Sequence, residues 1–316
     1  MTKGNTYLKY ILCVFISFTV LVSCKSDDFA EETEDPVVEE PEPEPEPEAC
    51  FESGDIIVSN SGSDAVTVLD SAGNFKRTAF NVSTALGEAF YGMDINTATG
   101  ELLLVVDPVD RVMAISAEDC TSRNFILSAQ LTGNLRGLTQ LTSGDVLVVE
   151  SNVVERFTSA GDRVTSGGWP KSLQTAGTQV SAMAGGGFVL CSNTTDRVGV
   201  YDSSGTISGS LKASGIASTT DAMGCIELLD GSIATAWSGT TDTVAIYSSN
   251  LSTTLFTYSN TSVLAAPGGI AQRANGNILV VDRTFHYIVE LTSDGTYVQT
   301  LGAGLLNIPE HILVVP

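Results

Sequence analysis

The chain is 316 residues long, 43% hydrophobic and only 16% charged, with 30 glycines, enough for one large domain or two ordinary ones around a substantial core. Its net charge of −22 is unevenly spread: residues 25–49 hold 12 acidic and 1 basic residue, a net −11, and residues 50–316 carry −13. A body this acidic, without a basic patch, repels phosphate backbones and argues against nucleic-acid binding.

The N-terminus reads as an address rather than as fold. Lys3 and Lys9 precede an apolar run, Ile11–Val22, too short for a comfortable membrane span. The run ends in Leu21-Val22-Ser23-Cys24, which resembles a bacterial lipobox; the competing reading is an ordinary signal peptide with a chance cysteine. The resemblance implies a signal peptide over residues 1–23 and lipidation of Cys24, which anchors a chain to one leaflet without spanning it. Residues 24–50 follow as an acidic Pro/Glu-rich tether. They have almost nothing apolar to bury, so disorder is expected, and the Pro-Glu alternation at 41–48 favours a stiff polyproline II spacer. Cys24-Lys25-Ser26-Asp27-Asp28 is also similar to the export signal of surface lipoproteins in Bacteroidetes-type bacteria. The implied location is the outer membrane, on the cell surface or the periplasmic face.

From residue 51 onward one unit repeats. Aligning Gly54, Gly100, Gly144, Gly187, Gly231 and Gly276 gives steps of 46, 44, 43, 44 and 45 residues. An apolar strand follows each glycine: DIIVS, ELLLVV, DVLVVE, FVLCS, SIATAW and NILVVD. A turn then opens a third strand, as at Asp64-Ala65-Val66, Asp110-Arg111-Val112 and Asp196-Arg197-Val198, and several third strands end alike, in LDSAGN, FTSAGD, YDSSGT and LTSDGT. The clearest copy, Pro267–Leu301, reads as four strands: Gly269–Gln272, Ile278–Val281, Tyr287–Leu291 and Tyr297–Leu301. A period near 44 with four short strands is the pattern of a β-propeller blade. A β-sandwich also has regular strands and turns, but nothing in it requires six copies of one sequence. Residues 267–295 resemble the NHL repeat and residues 55–74 the YVTN repeat. The expected fold is therefore all-β, a six-bladed propeller over residues 51–316. The chain ends in IPEHILVVP, a first strand with no second after it, and the body begins with a second strand at Gly54 lacking a first. The C-terminal strand is expected to complete that blade, which removes the loose sheet edge.

First strands line the channel of such a ring. Aligning them on a small-then-apolar pair places Tyr91, Arg136, Ser181, Asp221, Gly268 and Glu310 at one mouth, with His311 beside them, as the candidate ligand-binding set. The loop acids Asp107, Asp110, Glu150, Asp196, Asp242 and Asp282 could hold calcium or another divalent metal, but their recurrence at turns fits hydrogen bonding to their own backbone. No other cofactor is indicated. With His286 and His311 the only histidines, a three-histidine zinc site is excluded, and neither HExxH nor Gly-x-Ser-x-Gly is present. Similarity to six-bladed metal-dependent lactonases implies a Glu, Asn and Asp cluster at the mouth, for which Asp221 and Glu310 match two members and no asparagine matches the third. Cys50 and Cys120 are expected to pair across neighbouring blades, and Cys191 and Cys225 to be free thiols buried in strands. A monomer is expected, acting as a binding or interaction module on a protein partner or small polar ligand, with lactonase-like hydrolysis as the alternative.

Overall fold

The computed structural model describes residues 48–81, 89–107, 109–172, 177–193, 196–208, 212–213 and 220–316. The expected signal peptide, Cys24 and nearly all of the expected acidic tether lie outside the described residues. The body is a six-bladed β-propeller of six four-stranded antiparallel sheets. The first blade takes β1 (Ile56–Asn60), β2 (Ala65–Leu69) and β3 (Phe75–Asn81). The second holds β4 (Ala89–Ile95), β5 (Leu102–Asp107), β6 (Arg111–Ile115) and β7 (Ser122–Ile126), and the third β8 (Leu135–Gln140), β9 (Val146–Glu150), β10 (Val153–Phe157) and β11 (Lys171–Ser172). The fourth comprises β12 (Gly177–Ala182), β13 (Phe188–Ser192), β14 (Arg197–Tyr201) and β15 (Lys212–Ala213). The fifth is β16 (Thr220–Glu227), β17 (Ile233–Gly239), β18 (Thr243–Tyr247) and β19 (Thr254–Tyr258). The sixth is β20 (Pro267–Gln272), β21 (Ile278–Asp282), β22 (Tyr287–Leu291) and β23 (Tyr297–Leu301), and β24 (Pro309–Val314) returns to the first blade.

Burial peaks in the second strand of each blade and falls toward the rim, and the sequence shows why. Second strands such as β1, β9, β13 and β21 are buried at every residue, because each is covered on both faces by a neighbouring blade; such strands read as unbroken apolar runs. Outer strands such as β3, β19 and β23 are largely exposed and mix polar with apolar residues. Alternate residues of one second strand serve two interfaces. Leu102, Leu104 and Val106 pack on the first blade, whereas Leu103 and Val105 pack on the third. A one-residue slip in register would exchange these sets.

The described residues form one hydrophobic cluster per blade interface, six in all. The last joins Leu279, Val281, Ile288 and Leu301 of the sixth blade to Ile56, Val58, Leu69 and Ile312 of the first. Strand β24 pairs antiparallel with β1, Ile56 opposite Val314 and Val58 opposite Ile312, and Gly54 and Val315 extend the ladder through bonds of 2.9 Å. The C-terminal strand thus closes the ring.

The turn glycines adopt positive φ at Gly54, Gly100, Gly144, Gly231 and Gly276, but in the fourth blade it is Gly186 (φ 87°), not Gly187. Gly187 instead lies against the third strand, where an added Cβ would come within 2.1 Å of the Tyr201 carbonyl oxygen.

Candidate functional site at the channel mouth

Each first strand bulges near its start, and the residue beside the bulge faces the mouth. The ladder jumps between Phe90 and Met93, Leu135 and Leu138, Gly177 and Val180, Ala222 and Gly224, and Pro267 and Ile270, while β24 passes from Pro309 to His311 across β1. The equivalent mouth residues are therefore Tyr91, Arg136, Thr178, Met223, Gly268 and Glu310. Ser181 lies three residues farther along its strand and lines a different cavity deeper in the channel. The alignment slipped because the fourth blade carries Gln179 where its neighbours carry glycine, which hid the small-then-apolar pair. Asp221 stands two residues before its blade's mouth position, yet its side chain still lines the mouth.

The mouth holds a cavity of about 230 Å³, lined by Tyr91, Arg136, Thr178, Asp221, Glu310 and His311 together with Gln179, Asn193, Met223 and Arg283. The Arg136 guanidinium lies 4.3 Å from the centre of the Tyr91 ring, a cation–π arrangement that holds the charge without hiding its donors. Burial raises the Asp107 carboxyl, and Arg136 opposes that rise. On the fourth and fifth blades Asp221 is hydrogen-bonded to Asp196. Burial first, then the Asp196 charge and the bond between the two carboxyls, push Asp221 above the usual carboxylate range. On the sixth and first blades Arg283 Nη2 donates to Glu310 Oε1 at 3.0 Å while its Nε lies 3.0 Å from Oε2 as an ion pair, and Ser61 Oγ donates to the same carboxylate at 2.8 Å.

Arg283 and Asn193 were not found from the first-strand pattern, since each directly follows a second strand, β21 and β13. A column of residues at that position would have exposed them. Gly268 makes room for Arg283: a Cβ there would lie 3.2 Å from the arginine Cδ and 2.9 Å from Val281 Cγ2.

The loop acids divide by role. Asp282, fully buried, accepts backbone N–H groups of Ala265, Ala266, Thr284 and Phe285 at 2.6–3.2 Å, Glu150 accepts that of Thr132 at 2.7 Å, and Asp242 that of Gly239 at 3.1 Å. Asp110 and Asp196 take left-handed turns, at φ 49° and 53°, where aspartate is enriched. Among the described residues no three His, Cys, Asp or Glu side chains converge to hold a metal ion.

Cys50 and Cys120 form a disulfide with Cα atoms 5.1 Å apart, tying the entry to the ring onto the second blade. Cys191 and Cys225 are also joined, at 5.9 Å, rather than being the free thiols expected. They stand on β13 and β16, which face each other across two adjacent blades, a proximity that neither strand reveals alone.

No family model matches the chain, and no curated protein matches it in sequence. Solved structures do match. A protein of unknown function from Bacteroides caccae aligns at 13% identity and TM-score 0.61, over 83% of this chain and 98% of that one. A chain of a nidogen/laminin complex aligns at 9% and 0.66, over 82% and 97%. Virginiamycin B lyase from Staphylococcus aureus, a catalytically inactive variant with quinupristin, aligns at 12% and 0.60, over 78% and 85%. At these identities the likeness is one of fold: the chain is a β-propeller whose neighbours include a lyase and a chain of a nidogen/laminin complex.

Proposed function

We propose that this chain is an outer-membrane lipoprotein, anchored through Cys24 and built of NHL/YVTN-type repeats, whose propeller binds a small polar ligand, or the polar tip of a partner, at the channel mouth. The observation that carries this reading is that one cavity is lined both by Arg136, braced on Tyr91, and by Asp221, whose carboxyl the neighbouring Asp196 helps to raise. A concave site with a few fixed polar groups of opposite charge is how small solutes are oriented. The shared fold serves both binding proteins and enzymes, so the reading rests on the site and not on the likeness.

Metal-dependent hydrolysis is the second reading, and it gains Asn193, which lines the cavity with Asp221 and Glu310. Against it, Glu310 is already held by Arg283, so a cation would have to break that pair. Thermal-shift measurements with sugars, amino acids, lactones and divalent metals separate the two. A ligand at a hundred times its Kd stabilises by about 2.7 kcal/mol. A shift from an organic solute that Arg136→Ala abolishes supports the binding reading. A metal-dependent shift lost in Asp221→Ala favours hydrolysis, and no shift with any of them defeats both.

A further inference from the structure

Immediately behind the mouth residues the six first strands carry Gly92, Gly137, Gln179, Gly224, Gly269 and His311 at one level. Four are glycines because neighbouring first strands touch there: a Cβ on Gly92 would come within 2.4 Å of Leu138 N, on Gly137 within 2.9 Å of Val180 N, and on Gly269 within 2.7 Å of the His311 Cα. Only Gln179 and His311 bear side chains at this level. They belong to the fourth and first blades, three blades apart in a ring of six, and so stand on opposite sides of the channel.

Among the described residues these two alone line both the mouth cavity and the deeper cavity of about 250 Å³. Both are buried, at 3% and 8% exposure. Gln179 Oε1 and both ring nitrogens of His311 have no hydrogen-bond partner in the protein. Buried polar atoms are nearly always partnered, and here three unpartnered ones, on two sides of the channel, line the boundary between two cavities.

Their chemistry selects the guest. A neutral imidazole offers one donor and one acceptor, and Gln179 Oε1 only accepts. With the Gln179 amide turned so that Oε1 rather than Nε2 faces the guest, a carboxylate would set its lone pairs against that oxygen, and an ammonium would leave the imidazole N–H unmet. We infer that the Gln179–His311 level is a subsite for an uncharged group that both donates and accepts hydrogen bonds, a carboxamide or a sugar hydroxyl, on a ligand entering through the mouth. This deepens the mouth-binding reading and rests on it.

With only two histidines in the chain, the test can be read at His311 itself. The protein, labelled with ¹⁵N in its histidine rings, is titrated with acetamide, glucose, N-acetylglucosamine, acetate and methylammonium, His286 serving as internal control. The inference expects saturable shifts of the His311 nitrogens with acetamide or with the sugars, an unmoved His286, and no saturable response to acetate or methylammonium. Acetamide without glucose identifies the amide as the recognised group, and glucose without acetamide the hydroxyl; N-acetylglucosamine carries both. Gln179→Leu should weaken the binding at least tenfold. A His311 that ignores every probe, or answers acetate as it does acetamide, overturns the subsite even where Gln179→Leu fails to fold. Binding lost in Arg136→Ala but indifferent to Gln179→Leu, with His311 silent, would leave the mouth reading standing and remove this one.

Discussion

Lowering the pH from 7 to 5 should take stability from the ring through His311. The imidazole is enclosed in the channel wall, and burial lowers its pKa from 6.5 to about 4. In the unfolded chain it titrates near 6.5. The unfolded state therefore takes up the proton first, so the contribution present at neutral pH is lost as pH falls through 6.5 towards 4. At pH 5 the unfolded histidine is almost fully charged and the folded one almost fully neutral, a difference of about 2 kcal/mol. Surface carboxyls held low by hydrogen bonds, such as Asp70, Glu101 and Asp230, lose stability as pH falls, as the histidine does, whereas carboxyls raised by burial act in the other direction. Burial raises Asp94, Asp107, Glu150, Asp221 and Asp242, so each gains stability as pH falls into the carboxylate range. The whole-protein curve is thus composite, and the histidine is isolated by difference. Urea unfolding of wild type and His311→Asn, each at pH 7 and pH 5, should show the variant gaining about 2 kcal/mol relative to wild type at the lower pH. His286 and the carboxyls are common to both proteins and cancel. Parallel pH profiles would refute the reasoning, because an imidazole whose pKa is unchanged on folding contributes nothing.

Three further outcomes follow from the architecture. Cys50→Ser, which opens a cross-link spanning 70 residues of sequence, should cost about 4 kcal/mol in the chain-entropy account, measured by denaturant unfolding without reductant; an unchanged midpoint would contradict the role assigned to the bond. Deleting Ile308–Pro316 removes β24 and with it Ile312, which is 1% exposed, and should expose the edge of β1, lower the Tm sharply and promote association; a variant that keeps its Tm and stays dispersed would contradict closure by this strand. Gly268→Val sets a side chain where Arg283 crosses to Glu310, and should impair ligand binding at the mouth more than it lowers stability, compared by thermal shift with and without ligand.

The sequence made the ring legible because the strands between blades are covered on both faces. Runs such as Leu102–Val106 and Ile278–Val281 cannot be polar on either side, and they recur once per blade. The four strands read within Pro267–Leu301 coincide with β20–β23 to within two residues. The mouth was harder to read, since a bulge adds residues without changing composition. Glu310, Arg136 and Tyr91 were placed because Gly92, Gly137 and His311 follow them as small or distinctive markers. Gln179 broke that pattern, moving the fourth blade's position from Thr178 to Ser181. Arg283 and Asn193 reach the cavity from loops, where only the ring geometry reveals the direction of a side chain. The cross-blade pair Cys191–Cys225 likewise depends on a contact between two sheets that no local pattern encodes.

The most direct test of the account is ligand-observed NMR by saturation transfer from the protein to a panel of small polar solutes, run in parallel on wild type and Arg136→Ala. The account predicts that at least one solute receives saturation from the wild type, is displaced by excess unlabelled competitor, and loses the effect in the variant. No transfer to any solute, or transfer that persists undiminished in Arg136→Ala, would contradict a binding site at the channel mouth.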